Sequence, residues 1–133
     1  MDYKDSPYQG TMMEALDMQV VEMAPERVVM RMPIGPKVRQ PFGLLHGGAS
    51  VALAESAASL GSTQHVDLET QTVMGMEINA NHLRARREGM LVAEASLVHK
   101  GRRALVWDIR LRDEKGALVC ISRCTVAIVP RRA

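Results

Sequence analysis

Aromatic residues are scarce in this chain of 133 residues, which contains one Trp, two Tyr and one Phe. Proteins that bind nucleic acid commonly stack bases on aromatic side chains, so this scarcity argues against a nucleic-acid partner. Apolar runs are short, and none approaches the roughly 18 residues of a membrane-spanning helix. The N-terminal MDYKDSPYQG lacks the basic and apolar segments of a secretory signal. We therefore expect a cytoplasmic protein without a membrane partner.

Cysteines are also few. Cys120 and Cys124 fall in one predicted strand, where four residues span about 14 Å, beyond the roughly 7 Å that a disulfide can bridge. We expect two buried thiols in a reducing compartment. No His or Cys pair has metal-ligand spacing, and the P-loop, G-x-G-x-x-G and G-x-S-x-G motifs are missing. The sequence predicts no metal site and argues against nucleotide cofactors and serine hydrolase chemistry.

The remaining composition is that of an ordinary globular protein, with 47% hydrophobic and 24% charged residues. The length predicts a single domain over 1–133, and we expect residues 1–10 to be flexible. Charge is unevenly distributed: residues 1–83 carry five basic against ten acidic side chains, whereas 84–133 carry twelve against five. This basic half favours an anionic ligand, for which a phosphorylated small molecule is the best candidate.

The order of predicted elements indicates an α+β fold. A short helix near 11–18 precedes strands over 18–23 and 27–32, and a Pro- and Gly-rich loop then covers 33–48. The Ala-rich segment 49–60 predicts an enclosed helix that Gly61 ends. Four more strands are predicted over 72–79, 90–100, 103–113 and 117–129, the last three joined by hairpin turns. One long antiparallel sheet wrapped around one helix fits this order best.

Glu55 is the most informative residue, because it lies in the middle of the small apolar helix. An unpaired buried carboxylate is costly and normally has a partner or a raised pKa. On a helix, Gly48, Ser59 and Ser62 share its face. Glu55 is therefore either a structural carboxylate at a subunit interface or a general base or nucleophile activated by burial.

The segment 40–48, QPFGLLHGG, leads into this helix. Free amides at a helix N-terminus, on a glycine that other atoms can approach, favour polarisation of a carbonyl oxygen at Gly47. Glu55 lies eight positions after Gly47, about 12 Å along a helix, which a carbonyl group cannot span. The simpler interpretation is a tight glycine turn that only starts the helix. His46 either donates a hydrogen bond or holds the loop.

Two basic turns flank the predicted strand over 90–100. Arg84, Arg86 and Arg87 precede it, and the segment 99–103, HKGRR, follows it. Most surface arginines are solvated charge, but two such turns would bind a phosphate group if they converged.

Four segments carry a family resemblance: QPFGLLHGGASVALAES over 40–56, GMEINANHLR over 75–84, HKGR over 99–102 and SRCTVAIVP over 122–130. Together they resemble the hotdog-fold acyl-CoA thioesterases. The branch is that of the 4-hydroxybenzoyl-CoA and 1,4-dihydroxy-2-naphthoyl-CoA thioesterases, related to those of phenylacetate pathways. The resemblance covers nearly the whole chain and implies a hotdog fold, with one antiparallel sheet around a central helix.

The resemblance also implies roles for individual residues. Glu55 would act as nucleophile or as base for water, and the Gly47 amide would polarise the thioester carbonyl. Gln40 and His46 would orient the thioester, and Ser59 would place the attacking water. The implied CoA-phosphate contacts are Arg84, His99, Gly101 and Arg102.

In such enzymes the site lies at a homodimer interface, which relieves the 12 Å separation, and two dimers form a tetramer. The expected reaction is hydrolysis of an aromatic or medium acyl-CoA to acid and CoA, without metal or organic cofactor, because CoA is part of the substrate. Two alternatives stay open. One is a hotdog dehydratase or hydratase, in which His46 would have to act, and the other is a non-catalytic acyl-CoA-binding protein.

Overall fold

The computed structural model describes residues 8–132 and, within them, six β-strands and two α-helices. The strands are β1 (Gln19–Ala24), β2 (Arg27–Ile34), β3 (Gln71–His82), β4 (Gly89–Lys100), β5 (Ala104–Asp113) and β6 (Leu118–Pro130), and the helices are α1 (Met12–Ala15) and α2 (Gly47–Thr63). All six predicted strands form. We expected residues 1–10 to be flexible, and residues 1–7 of that segment lie outside the described range. Residues 8–10 form a turn before α1.

The six strands form one antiparallel sheet in the order β1-β2-β4-β5-β6-β3. The strands β4, β5 and β6 make the predicted hairpin meander. β3 lies at the far edge of the sheet and pairs with β6 from Gln71 opposite Pro130 to His82 opposite Cys120. α2 packs against β2 to β6. The predicted α+β architecture, one antiparallel sheet around one helix, is confirmed.

The core lies between α2 and the face of the sheet that the period-2 patterns predicted. In β5 the side chains of Leu105, Trp107, Ile109 and Leu111 are all fully buried, whereas those between them are more exposed. Cys120 and Cys124 lie on the buried side of β6 and are both free thiols, as expected. No helix in the described range is long and apolar enough to span a membrane.

The prediction that Gly61 ends the helix is wrong, because α2 continues to Thr63. Gly61 is required by packing instead. A Cβ built on it would lie 2.6 Å from Cη2 of Trp107 and 3.1 Å from Cγ2 of Val28. The Trp107 indole crosses under the helix there and donates a hydrogen bond of 2.9 Å from Nε1 to Oγ of Ser62. The helix also begins two residues earlier than predicted, at Gly47, so the connecting loop is shorter.

Replacing Gly61 by alanine is expected to destabilise the fold by about 2 kcal/mol, because the added methyl group overpacks a fully buried indole. Thermal unfolding followed by circular dichroism measures the loss. Gly35→Ala is the matched control, since a Cβ there meets nothing within 4 Å. An unchanged melting temperature for Gly61→Ala would show that Trp107 can move aside.

Candidate active site

The start of α2 presents two hydrogen-bond donors that the fold does not use. His46 caps the helix: its Nδ1 accepts a hydrogen bond of 2.8 Å from the Gly48 amide. The ring proton of neutral His46 is therefore on Nε2, where it can be donated. The Gly47 amide makes no hydrogen bond within residues 8–132. A carbonyl oxygen placed at this helix end would meet an uncommitted N–H at the positive end of the helix dipole.

The loop before α2 fixes the orientation of Gln40. Its Oε1 accepts hydrogen bonds from the amides of Phe42 and Leu44, the latter at 3.4 Å. The backbone closes the same turn through Gln40 N to Leu44 O at 2.8 Å. Because the side-chain oxygen is held by the loop, the amide nitrogen of Gln40 is the end available to a ligand.

A cleft of about 390 Å³ lies at this end of α2. Its lining is Gln40, Leu44, Leu45, Gly47, Ser50, His82, Leu83, Arg84, Ala85 and Val119. The cleft thus brings together three of the predicted site residues, Gln40, Gly47 and Arg84. His46 adjoins them through its cap on Gly48 but does not line the cleft.

Two polar residues of this cleft were not among the predicted site residues. A Cβ built on Gly47 would lie 2.8 Å from Nε2 of His82, so the His82 ring covers the first residue of the helix. Ser50 is only 1% exposed, and its Oγ has no hydrogen-bond partner within the described residues. The predicted strand over 72–79 ended before His82, whereas β3 continues to His82, so no signal in the sequence indicated that this ring would lie beside α2.

Glu55 is half-buried on the open face of α2. The expected partner is not found: its carboxylate makes no hydrogen bond or ion pair in the part of the chain that the structure describes. Ser59 lies one turn further on the same face, and its hydroxyl is also uncommitted within residues 8–132. Ser62 does not join them, because it is buried against Trp107. Glu55 and Ser59 are therefore free to contact a ligand.

The negative charge of Glu55 acts on a thiol in the sheet, that of Cys124 in β6. Burial, followed by the negative charges of Glu55 and Glu77, raises the pKa of the Cys124 thiol to about 12. Burial also raises the pKa of Cys120. A thiol nucleophile must ionise, so these thiols are poor candidates for the chemistry. Within residues 8–132 no three His, Cys, Asp or Glu side chains are grouped so that they could hold a metal ion.

A second cleft, of about 430 Å³, lies beyond the other end of α2 and is lined by His65, Val66, Gln71, Lys100, Gly101, Arg102 and Ile128. The His99 ring lies beside it, since a Cβ built on Gly101 would be 3.2 Å from His99 Nε2. Three of the four predicted phosphate contacts thus cluster here, whereas Arg84 lines the first cleft.

The two basic turns do not converge within one chain. They lie at opposite ends of β4, a strand of 12 residues that spans about 40 Å. Gly47 and Glu55 are likewise separated along α2 by about 12 Å. Within one chain the predicted site is therefore divided between the start of α2, its middle at Glu55, and the second cleft beyond its far end.

An ion pair between the buried Asp113 and the partly buried Arg86 supports the wall of the first cleft. Asp113 accepts hydrogen bonds from Arg86, at 2.7 Å from Nε, and from the amides of Lys115 and Ala117 at 3.0 and 2.9 Å. The carbonyl of Arg86 in turn accepts a hydrogen bond of 2.7 Å from the Leu45 amide, next to His46. The β5–β6 turn thereby anchors the loop that carries Gln40 and His46.

Asp113→Asn is expected to lower the melting temperature at neutral pH but not in acid. The Arg86 guanidinium, followed by the Ala117 amide, holds the pKa of Asp113 below its ordinary value of 3.8. The charged form thus stabilises the fold above pH 3.8, and this contribution is lost as the pH falls through the lower folded-state pKa. Melting temperatures measured from pH 2 to 7 should therefore converge at the acid end.

Asp17→Asn, which removes an exposed pair with Lys37, is the control and should change the melting temperature little. A constant difference across the pH range would contradict this account.

Comparison with known proteins decides the family. The sequence pattern of the thioesterase superfamily matches residues 42–120. The chain belongs to the thioesterase superfamily. This thioesterase is 45% identical over 121 residues to the 1,4-dihydroxy-2-naphthoyl-CoA hydrolase of Escherichia coli, covering 91% of the chain and 88% of the relative. It is 42% identical over 119 residues to the protein of the same name from Listeria monocytogenes, covering 90% and 96%. The predicted hotdog fold and thioester hydrolase activity are confirmed.

A thioesterase from Staphylococcus aureus has a closely similar structure, with a TM-score of 0.87 and 42% identity over 89% of this chain and 98% of that one. Crystal structures of that protein exist with a glutamine or a glutamate replaced by alanine. The two replaced positions are separated by the same number of residues as Gln40 and Glu55 in this thioesterase.

Proposed function

We propose that this thioesterase hydrolyses an acyl-CoA ester with an aromatic or medium acyl group to the free acid and CoA, at a site shared by two copies of the chain. The observation that carries the proposal is the combination of an uncommitted Gly47 amide at a helix N-terminus with an uncommitted, half-buried Glu55 carboxylate on the same helix. The names of the relatives from E. coli and Listeria support an aromatic acyl-CoA substrate.

In the proposed reaction the thioester carbonyl oxygen accepts hydrogen bonds from the Gly47 amide and from Nε2 of His46, and the Gln40 amide orients the thioester. Glu55 either removes a proton from water, which attacks the carbonyl carbon, or attacks that carbon itself and is then released by water. In both cases the C–S bond breaks, the CoA thiolate takes up a proton, and water supplies the new carboxylate oxygen. Ser59 helps to place the water. The reaction as proposed needs no metal or organic cofactor.

Two exposed surfaces support the shared site. β3 is an edge strand, and its Met74 and Met76 are 60% and 64% exposed. Unpaired edges that carry apolar side chains are normally covered. The open face of α2 beside it consists mainly of small residues and carries a single charge, that of Glu55. A helix that faces solvent normally carries a stripe of charged residues instead. A second copy that pairs edge to edge with β3 and lays its α2 antiparallel to this one would cover both surfaces.

The antiparallel arrangement also unites the separated halves of the site. The Gly47 end of one chain would meet Glu55 of the other, and the cleft with Arg84 would approach the partner's copy of the turn over 99–102. The CoA phosphates would then be held by Arg84 together with His99, Gly101 and Arg102. We propose a dimer of such dimers, which light scattering would measure directly. The two free thiols are consistent with a reducing, cytoplasmic location.

The test is thiol release from a panel of benzoyl-, phenylacetyl-, dihydroxynaphthoyl- and straight-chain acyl-CoA esters. The proposal expects turnover that is highest on aromatic or medium acyl groups. Hydration of enoyl-CoA esters is measured alongside. Turnover of enoyl esters without thiol release would favour the hydratase alternative, and tight binding of every ester without any turnover would favour a binding protein.

A further inference from the structure

Gly75, in the edge strand β3, lies directly against the side chain of Glu55. A Cβ built on Gly75 would be 2.9 Å from Oε1, 3.0 Å from Cδ and 3.4 Å from Cγ of Glu55. The first two distances are shorter than a normal van der Waals contact, so the carboxylate rests on the bare Cα of the glycine. Any side chain at position 75 would have to displace it.

The backbone of β3 is irregular at this point. The register with β6 shifts between Gly75, opposite Val126, and Glu77, opposite Thr125, so Met76 is an extra residue without a partner in the ladder. Such a bulge bends and twists its strand locally. Here it lies where β3 passes the middle of α2, and it brings the strand backbone up to Glu55.

Backbone conformation does not explain the glycine. Gly75 is not among the glycines with positive φ, which are Gly10, Gly43, Gly89 and Gly116, and alanine is ordinarily tolerated in an edge strand at negative φ. Nor does core packing explain it, because Gly75 is exposed. The three atoms nearest to a Cβ built on Gly75 all belong to the Glu55 side chain.

We infer that Gly75 is a positioning residue for Glu55: the bulged glycine of β3 forms the surface on which the carboxylate is held for its part in thioester hydrolysis. The inference rests on the proposed function of Glu55 and goes beyond it in naming what fixes its side chain. Since a glutamate side chain can rotate away from an added methyl group at little cost, Gly75→Ala should retain stability but move the carboxylate. A misplacement of about 1 Å can lower turnover by roughly 10²-fold.

The experiment compares wild type, Gly75→Ala, Glu55→Gln and the double variant in thiol release, with melting temperature and oligomeric state measured for each. We expect Gly75→Ala to lower kcat roughly 10- to 100-fold with KM changed less than about twofold. In the Glu55→Gln background the same substitution should have no further effect, because the group it displaces no longer takes part.

The outcomes distinguish a failure of the positioning role of Gly75 from a failure of the proposed function. Full activity of Gly75→Ala beside an inactive Glu55→Gln would overturn the positioning role and leave the proposed function intact. An equal fold-loss in both backgrounds, or a change in oligomeric state, would show that Gly75 serves the strand or its pairing, which also overturns the inference. Full activity of Glu55→Gln would instead overturn the proposed function.

Discussion

Glu55→Gln is expected to lower kcat by at least about 10²-fold while changing KM by less than about twofold. The amide has the shape of the carboxylate but can neither take a proton from water nor attack a carbonyl carbon. Within residues 8–132 no other group forms a hydrogen bond with the Glu55 carboxylate, so the substitution removes no structural hydrogen bond there. Both possible roles of Glu55 need the charged group, so the variant tests what they share. Steady-state thiol release on the best ester of the panel is the measurement.

Glu77→Gln provides the matched control. Glu77 lies on β3 near the same site, and its charge also acts on Cys124, but it is exposed and its carboxylate already accepts a hydrogen bond of 3.1 Å from Asn79. Its loss should change kcat by less than about twofold. If Glu55→Gln retained activity within tenfold of wild type, Glu55 would be a structural carboxylate, as the sequence alone also allowed.

Local patterns were sufficient to predict the elements and the core. The alternation of Leu105, Trp107, Ile109 and Leu111 predicted the buried face of β5 because side chains of a strand point alternately to its two faces, whatever packs above them. Glu55 was identified in the same way, since a single carboxylate in an Ala-rich helix stands out without knowledge of its surroundings. Properties that depend on one element alone can be predicted from that element.

Contacts between distant elements could not be predicted in this way. Gly61 was interpreted as a helix stop because the Trp107 ring that requires it comes from β5, far along the chain. Gly75 and His82 were passed over because their contacts with Glu55 and Gly47 depend on how α2 crosses β3 and on a bulge that no local motif predicts. Whether the two basic turns converge could not be decided from the sequence, and the length of β4 separates them within one chain.

Mixing two inactive variants is expected to restore activity. In the proposed dimer each site takes Gly47 from one chain and Glu55 from the other. Gly47→Val should abolish turnover, because its side chain would fill the space between the helix amide and His82: a Cβ built on Gly47 alone would lie 2.8 Å from His82 Nε2. A heterodimer of Gly47→Val with Glu55→Gln has one site with both defects and one with neither. Random pairing of the two chains in equal amounts should give about one quarter of wild-type activity.

The same mixture distinguishes the shared site from a site within one chain. If Gly47 and Glu55 of a single chain served the same thioester, every site in the mixture would carry one defect and activity would stay at background. Glu55→Gln co-expressed with the double variant Gly47→Val, Glu55→Gln is the control, since no pairing of these chains yields an intact site. Thiol release is compared with wild type prepared in parallel, and light scattering verifies that the mixed chains associate. Recovery in the first mixture and not in the control requires that two copies build one site, because no single chain in either mixture carries both groups.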